Sequence, residues 1–202
     1  MTSTEAIHVE RESVMNQTVL KHISPAELEM LETRTGLRFE VWNGQPVAMT
    51  GGTAAHNLIT LGLYRVVHAQ LKPPCRVFVA DAKLHLSAAD DSDIAYPDLM
   101  VVCEPQPSNT YQTRPVLLAE VLSDSSVRRD RVQKLAAYSA LESLQAYLIL
   151  SQQDVEIDVY QRVTNWQRER FQDLEAEIVL QPFDLQLALQ AIYADVRADL
   201  GY

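Results

Sequence analysis

The sequence lacks an excess of basic residues. It contains 17 Lys and Arg residues against 27 Asp and Glu residues, which gives a formal net charge of −10 over 202 residues. An open, non-specific nucleic-acid binder normally has a basic face, so the charge disfavours that class but leaves room for a local basic groove. An acidic excess also fits a chain that places several carboxylates around a divalent cation.

Long apolar runs and cysteine-rich motifs are also absent. No apolar run approaches the roughly 20 residues of a membrane span, and the opening stretch MTSTEAIHVERESV has no apolar core typical of a signal peptide. We therefore expect a cytoplasmic protein without membrane contact. Cys75 and Cys103 are far apart and lack metal-type spacing, so we expect two reduced, buried thiols.

The order of helix and strand signals predicts one α/β (α+β) domain over residues 24–202, after a flexible polar arm over residues 1–23. Neither an internal repeat nor a linker-like segment divides the domain. Helices are predicted over residues 24–36, 54–71, 124–141 and 187–200. Strands are predicted over residues 37–49 (a hairpin turning at Asn43-Gly44), 75–86, 94–102, 115–123, 144–151 and 155–162.

Three predicted strands each carry one acid among apolar residues, namely Glu40, Asp98 and Glu120. The Glu120 strand is apolar at both alternating positions, which predicts that it is covered on both faces, and a carboxylate buried there needs a partner. A surface position or a salt bridge is the alternative for each acid, and it is weakest for Glu120. Glu156 and Asp158 alternate with apolar residues, which predicts exposed acids.

A divalent cation would give the acids in the apolar strands a shared role. Mg²⁺ takes one or two carboxylates and completes its shell with water and substrate phosphate. Asp98 and Glu120 are separated by 22 positions, which is enough for a loop and a return strand that bring both carboxylates to one site. A nearby lysine could then position an attacking water or neutralise charge on phosphorus.

Five stretches in order resemble a known family: RFEVWNGQPVAM, a helix beginning AAHN, YPDLMVVC, PVLLAEVLSDSS and RRDRVQKLAAYSALESLQAYLIL. They resemble the Uma-type family of restriction-endonuclease-like proteins, a branch of the PD-(D/E)xK nuclease superfamily, over residues 24–195. The resemblance implies a restriction-endonuclease-like core, with a mixed central sheet flanked by helices, an N-terminal helix and a β-hairpin. It also implies an endonuclease dependent on Mg²⁺ (or Mn²⁺), with nucleic acid, DNA favoured, as its partner, and it is compatible with a homodimer.

The resemblance also implies roles for four residues of this sequence. Asp98 and Glu120 would bind the metal, and Glu40 would complete the acidic cluster as a ligand or general base. Lys134 would position the nucleophilic water or stabilise the transition state. The superfamily pattern has its lysine two residues after the strand acid, where this sequence has Leu122.

Lys134 is expected to reach the site from the next helix, where Asp130, Lys134 and Tyr138 follow at intervals of four and share one face. The alternative is a solvated lysine paired with Asp130. His56, Arg128 and Arg131 are candidates for substrate binding, because a histidine near a helix start and a basic cluster can both contact phosphate. A capping histidine and an ordinary charged helix surface are their alternatives.

Two further functions stay open on the sequence. A non-catalytic protein could keep the nuclease fold as a binding or dimerisation module, and Leu122 and the acidic charge favour that interpretation. A metal-dependent hydrolase acting on another substrate is the third and weakest.

Overall fold

A computed structural model of the chain describes residues 22–49, 51–86, 93–104, 111–122, 129–181 and 183–202, and for residues 129–131 it describes the backbone. Its helices are α1 (Pro25–Thr35), α2 (Ala54–Gln70), α3 (Leu135–Ser139) and α4 (Leu189–Ile192). Its strands are β1 (Phe39–Trp42), β2 (Gln45–Ala48), β3 (Arg76–Val79), β4 (Lys83–His85), β5 (Ile94–Ala95), β6 (Leu99–Val102), β7 (Tyr111–Gln112), β8 (Pro115–Leu122), β9 (Ala146–Ser151), β10 (Ile157–Gln161), β11 (Arg168–Phe171), β12 (Glu177–Leu180) and β13 (Leu185–Ala188). The predicted division into an arm over residues 1–23 and one domain stays a prediction, since residues 1–21 lie outside the described part.

The described strands form a six-stranded sheet in the order β11-β10-β9-β8-β6-β3, a five-stranded sheet in the order β2-β1-β5-β4-β7, and the hairpin β12-β13. In the six-stranded sheet β8 and β9 are parallel and the other neighbours are antiparallel. Apolar residues of α2 and α4 pack against one face of this sheet, and residues of α3 against the other. The predicted α/β (α+β) fold class, with a mixed sheet flanked by helices, is confirmed.

Strand β8 is buried on both faces, as its apolar composition predicts. Leu117 and Ala119 belong to the core cluster on the α2 side, whereas Leu118 and Leu122 belong to the cluster on the α3 side. Because side chains alternate along a strand, Glu120 points to the same side as Leu118 and Leu122. Its carboxylate therefore lies beneath α3.

The predicted N-terminal helix and hairpin are also confirmed. Ser24 and Glu27 form a reciprocal capping box at the start of α1, and Gly36 ends the helix in the left-handed conformation with φ 69°. Asn43 and Gly44 have φ values of 51° and 72° between β1 and β2. Two successive positive φ values are what the tight hairpin turn requires.

The prediction of one strand over residues 75–86 is wrong. The segment forms β3 in the six-stranded sheet and β4 in the five-stranded sheet. Ala80 and Asp81, between them, have φ values of 42° and 45°. Two residues in this conformation turn the chain from one sheet into the other, which alternation of apolar residues does not reveal.

The prediction of one strand over residues 94–102 is wrong for a similar reason. The segment is divided at Pro97: β5 pairs with β1 and β4, and β6 pairs with β3 and β8. Proline has no N–H for a strand ladder, so it suits the point where one strand ends and another begins. Asp98 therefore lies where the chain crosses between the two sheets, rather than in the middle of a strand.

Two predicted helices have other bounds in the described part of the chain. The helix predicted over residues 124–141 consists of a π-helical segment, Arg129–Lys134, that runs directly into α3, and residues 123–128 lie outside the described part. Of the helix predicted over residues 187–200, the first two residues complete β13, Leu189–Ile192 form α4, and turns follow. None of the helices in the described ranges has the length and apolar character needed to cross a membrane.

The expectation of two reduced thiols is also wrong. Cys75 and Cys103 form a disulfide, with their Cα atoms 3.7 Å apart. They stand one position beyond the pair Arg76–Val102, which joins β3 to β6. The antiparallel register places the two cysteines opposite each other, although they are 28 positions apart in sequence.

Gly62 in α2 gives a test of how closely α2 and α4 pack. Alanine normally stabilises a helix interior relative to glycine by about 0.5–1 kcal/mol. Here a Cβ at residue 62 would overlap the backbone carbonyl oxygen of Ile192, so Gly62→Ala should instead lower the free energy of unfolding by about 1–3 kcal/mol in urea titrations. Gly51→Ala is the control, since a Cβ there would meet no atom of the described residues within 4 Å. Equal stability of the two variants would contradict the packing.

Candidate active site

The Asp98 carboxylate is held between β8 and the start of α2. Its Oδ2 accepts a hydrogen bond of 2.7 Å from the backbone N–H of Val121 and lies 3.0 Å from Nε2 of His56. The side chains of Asp98 and His56 are each 19% exposed. Both contacts that Asp98 makes with its carboxylate in the described part use Oδ2, so Oδ1 is available to a ligand.

His56 is placed by the first turn of α2. Thr53 caps the helix, with its hydroxyl accepting a hydrogen bond of 3.1 Å from the His56 backbone N–H. The same hydroxyl donates to the side-chain oxygen of Gln152, in the turn after β9. The predicted helix start is confirmed, and it brings the imidazole to Asp98 from a position 42 residues earlier in the chain.

Glu120 lies in the middle of β8, beneath α3. Its Oε1 is 2.9 Å from Lys134 Nζ and accepts a hydrogen bond of 3.0 Å from the hydroxyl of Tyr138. Glu120 and Lys134 are each only 4% exposed, and Tyr138 is fully buried. The i, i+4 spacing of Lys134 and Tyr138 puts both side chains on one face, as predicted, even though the turn before Lys134 is π-helical.

Glu40 reaches the same ammonium group from the other sheet. Its Oε1 is 3.0 Å from Lys134 Nζ and accepts a hydrogen bond of 3.4 Å from the backbone N–H of Tyr96, and its Oε2 accepts one of 3.0 Å from Trp42 Nε1. Glu40 is 4% exposed. The surface alternative is therefore wrong for Glu40, whereas the salt-bridge alternative holds.

Lys134 joins three parts of the fold. Its ammonium contacts Glu120 on the six-stranded sheet and Glu40 on the five-stranded sheet, while its backbone belongs to the π-helical segment that leads into α3. The alternative of a solvated helix lysine is wrong. Glu40, Glu120 and Lys134, predicted from the sequence, thus meet at the seam between the two sheets, and Asp98 stands beside it, where its carboxylate accepts a hydrogen bond from the residue after Glu120.

Among the side chains that the structure describes, the seam and Asp98 beside it carry more negative than positive charge. The carboxylates of Glu40, Asp98 and Glu120 stand against the single ammonium of Lys134, with His56 beside Asp98. No three His, Cys, Asp or Glu side chains in the described ranges converge to hold a metal on protein ligands alone. Asp98 and Glu120 nevertheless fit Mg²⁺, which uses hard oxygen donors and often takes only one or two carboxylates beside water and substrate phosphate.

The side chains of the predicted arginine cluster lie outside the described part of the chain. Arg128 lies outside the described residues, and for Arg131 only the backbone of the π-helical segment is described. The Arg131 backbone stands three positions before Lys134 in the same segment. A role of these arginines in substrate binding stays a prediction.

Sequence reasoning missed the aromatic residues of the site. Trp42 and Tyr138 each donate a hydrogen bond to one of the two glutamates that flank Lys134. Trp42 stands two positions after Glu40 in β1, and this spacing puts both side chains on one face of a strand. An indole or phenol at such a position beside a buried acid is the signal that could have identified them.

The exposure predicted for Asp158 is wrong. Its side chain is buried and accepts two hydrogen bonds from the guanidinium of Arg170, which lies opposite it on β11. Alternation along β10 predicts the side to which Asp158 points, but not that this side is covered.

A third buried glutamate, Glu32 on α1, lies outside the seam. It accepts hydrogen bonds of 2.9 Å from Lys83 Nζ, 2.8 Å from the Tyr96 hydroxyl and 3.2 Å from the Phe39 backbone N–H. Burial alone would raise the pKa of Glu32, but its hydrogen bonds, led by the one from Lys83, outweigh burial and lower the pKa below its ordinary value. This cluster attaches α1 to the five-stranded sheet.

Comparison with known proteins assigns the chain to a family. A family model, Uma2, described as "Putative restriction endonuclease", matches residues 25–191. The chain belongs to the Uma2 family. It is 32% identical over 148 residues to an uncharacterised protein, sll1609, of Synechocystis sp. PCC 6803, across 71% of this chain and 82% of the relative. A second uncharacterised protein of that strain, slr1290, is 33% identical over 143 residues, across 69% of this chain and 74% of the relative.

A solved structure supports the fold of this Uma2 family member. The crystal structure of a protein described as a "putative nuclease belonging to DUF820", from Anabaena variabilis ATCC 29413, matches with a TM-score of 0.62. The match covers 79% of this chain and 92% of the solved chain at 17% sequence identity. At that identity the match establishes the fold, and the resemblance to the Uma-type family is confirmed.

Replacing Lys134 tests the energetic role of its ammonium. Lys134→Met would leave two buried carboxylates without their cation, so we expect the free energy of unfolding to fall by about 3–5 kcal/mol in urea titrations. The double variant Lys134→Met/Glu120→Gln should lose less than the sum of the single losses, because the two groups interact directly. Lys72→Met, at an exposed lysine, is the control, and a similar small effect for Lys134→Met would show that the ion pairs are not formed.

The lowered pKa of Glu32 implies that the free energy of unfolding depends on pH. Because its pKa is lower in the folded chain than in the unfolded chain, its charge stabilises the fold above the unfolded-state pKa of about 4.3. That contribution is lost as the pH falls through the lower folded-state pKa. Glu32→Gln should therefore be less stable than wild type near pH 7, with the difference disappearing in acid. Urea titrations across this range test it, with the exposed Glu29→Gln as control, and a difference independent of pH would refute it.

Proposed function

We propose that the chain is a Mg²⁺-dependent endonuclease that hydrolyses phosphodiester bonds of nucleic acid, with DNA as the favoured substrate. The observation that carries this proposal is the buried lysine between two glutamates, together with a partly exposed aspartate directly before the neighbouring strand β6. Membership of a family described as restriction endonucleases supports the same reaction class.

The arrangement suits a metal-assisted hydrolysis at one end of the seam. Asp98 and Glu120 would hold Mg²⁺ (or Mn²⁺), since the Asp98 carboxylate bonds the peptide N–H that directly follows Glu120. Such a cation polarises the phosphoryl oxygen and lowers the pKa of a bound water. Asp98 and His56 are the partly exposed members of the site, so we expect the substrate phosphate to approach from their side.

The remaining side chains would act on charge and orientation. The Lys134 ammonium, excluded from solvent, would orient the attacking water or stabilise the negative charge that develops on phosphorus. His56 would contact the substrate phosphate as it approaches Asp98. Arg128 and Arg131 would bind neighbouring phosphates of the backbone, which is the ordinary role of arginines in a nuclease cleft.

Neutral replacements of the metal-binding acids test this function. Asp98→Asn and Glu120→Gln remove one negative charge each with little change of shape, so we expect Mg²⁺-dependent cleavage of a DNA substrate to fall by at least about a hundredfold. Calorimetry with Mn²⁺ should show uptake by the wild-type chain and a loss of affinity in both variants.

Glu32→Gln is the matched control, because Glu32 is also a buried glutamate bonded to a lysine and a tyrosine, but lies outside the seam. It should keep both cleavage and Mn²⁺ uptake. Full cleavage by Asp98→Asn or Glu120→Gln would overturn the assignment.

A second candidate function rests on the contacts of Glu120. Its Oε1 is already bonded to Lys134 and Tyr138, so the ammonium partly takes the place that a metal would have in balancing the acids. A non-catalytic member of the nuclease fold, acting as a binding or dimerisation module, would keep this ion cluster for stability alone. A well-folded sample that neither takes up Mn²⁺ nor cleaves DNA would favour this function.

A further inference from the structure

The position of Lys134 raises the question of what fixes its ammonium. The residue ends a six-residue π-helical segment and precedes a five-residue α-helix. Helices this short have little stability of their own. A lysine side chain is also a flexible four-carbon stem with a strongly hydrated charge. The helix alone therefore does not hold the ammonium in place.

The two glutamates that contact the ammonium are themselves held by aromatic donors. The Tyr138 hydroxyl donates to Glu120 Oε1, and the Trp42 indole N–H donates to Glu40 Oε2. The donor–acceptor distance is 3.0 Å in both hydrogen bonds. Hydrogen bonds to a charged acceptor are roughly twice as strong as those between neutral groups. Each carboxylate is thereby restrained in the orientation that it presents to Lys134.

The two aromatic rings are also packed in place. Their centroids are 6.4 Å apart with an interplanar angle of 50°, and the Tyr138 ring makes an edge contact with Tyr147 at 5.1 Å. Trp42 and Tyr138 are both buried in the core cluster on the α3 side of the six-stranded sheet. The donors therefore have little freedom to turn away from the carboxylates.

Glu40 is engaged through both of its oxygens. Oε1 contacts the Lys134 ammonium and the Tyr96 backbone N–H, and Oε2 accepts the hydrogen bond from Trp42. A metal ligand or general base needs an oxygen that can face the reacting atoms. This arrangement favours a different role for Glu40, which is to hold the lysine.

We propose that Glu40, Trp42 and Tyr138 are positioning residues that hold the Lys134 ammonium against Glu120. The effect on catalysis rests on the function proposed above, whereas the effect on Lys134 itself does not. Trp42→Phe and Tyr138→Phe test the proposal, because each removes one polar donor and keeps an aromatic ring in the core.

The first measurement follows Lys134 directly. Folded protein is treated briefly with an amine-acetylating reagent, and acetylation of each lysine is measured by mass spectrometry. We expect Lys134 to react several-fold faster in both variants than in wild type. Lys83 is the internal reference, because it is also bonded to a buried glutamate, and its rate should not change.

The second measurement is steady-state cleavage of DNA with Mg²⁺. Loss of a residue that orients a catalytic group commonly costs about tenfold to a hundredfold in activity. We expect this loss in kcat, with KM for DNA little changed, because neither aromatic side chain is placed to touch substrate. Glu40→Gln should show the same pattern.

Tyr193→Phe is the matched control, since Tyr193 is a buried tyrosine whose hydroxyl donates to backbone carbonyls away from the seam. It should change neither the acetylation of Lys134 nor kcat. Unchanged acetylation and kcat in all three test variants, with circular dichroism showing folded protein, would overturn the proposal. If Lys134 is acetylated faster in the variants but the wild-type protein itself cleaves no DNA, the positioning of Lys134 is supported and the proposed nuclease function is refuted.

Discussion

The arrangement of the site depends on the two ion pairs that the buried Lys134 ammonium makes with glutamates. The ammonium lies between Glu120 of one sheet and Glu40 of the other, so one cation closes the seam where two layers of strands meet. Burying three charged groups costs several kcal/mol per ion in desolvation, and their attraction offsets this only with good geometry and further hydrogen bonds. Tyr138, Trp42 and the Tyr96 backbone supply those further hydrogen bonds.

Chain topology brings the acids to that seam. The segment that contains Asp98 leaves the five-stranded sheet at β5 and enters the six-stranded sheet at β6. A residue at such a crossing is free of the strict alternation of a strand, and Asp98 can therefore bond both to His56 from α2 and to the backbone of β8. The crossing explains why Asp98 is partly exposed while Glu120, within β8, is buried.

Local signals predicted much of this fold, and pairings between distant segments account for most of the errors. The capping box of α1 and the Asn43-Gly44 turn are determined by neighbouring residues, so the sequence could reveal them. The acid in β8 stood out because its strand is apolar on both faces. The Cys75–Cys103 disulfide and the burial of Asp158 depend on which strand lies opposite, and the spacing within one segment contains no such information.

Leu122 connects the unusual position of the lysine with the rest of the core. It points to the same side of β8 as Glu120 and belongs to the apolar cluster that contains Tyr138 and Trp42. A lysine at that position would put an ammonium among these packed rings, which is costly without a partner. With leucine there, the cluster stays apolar and packs against both aromatic donors, and the Lys134 ammonium reaches the site from the helical segment instead. The leucine in the strand and the lysine in the helix are thus two parts of one arrangement, in which core packing and the charge of the site are satisfied together.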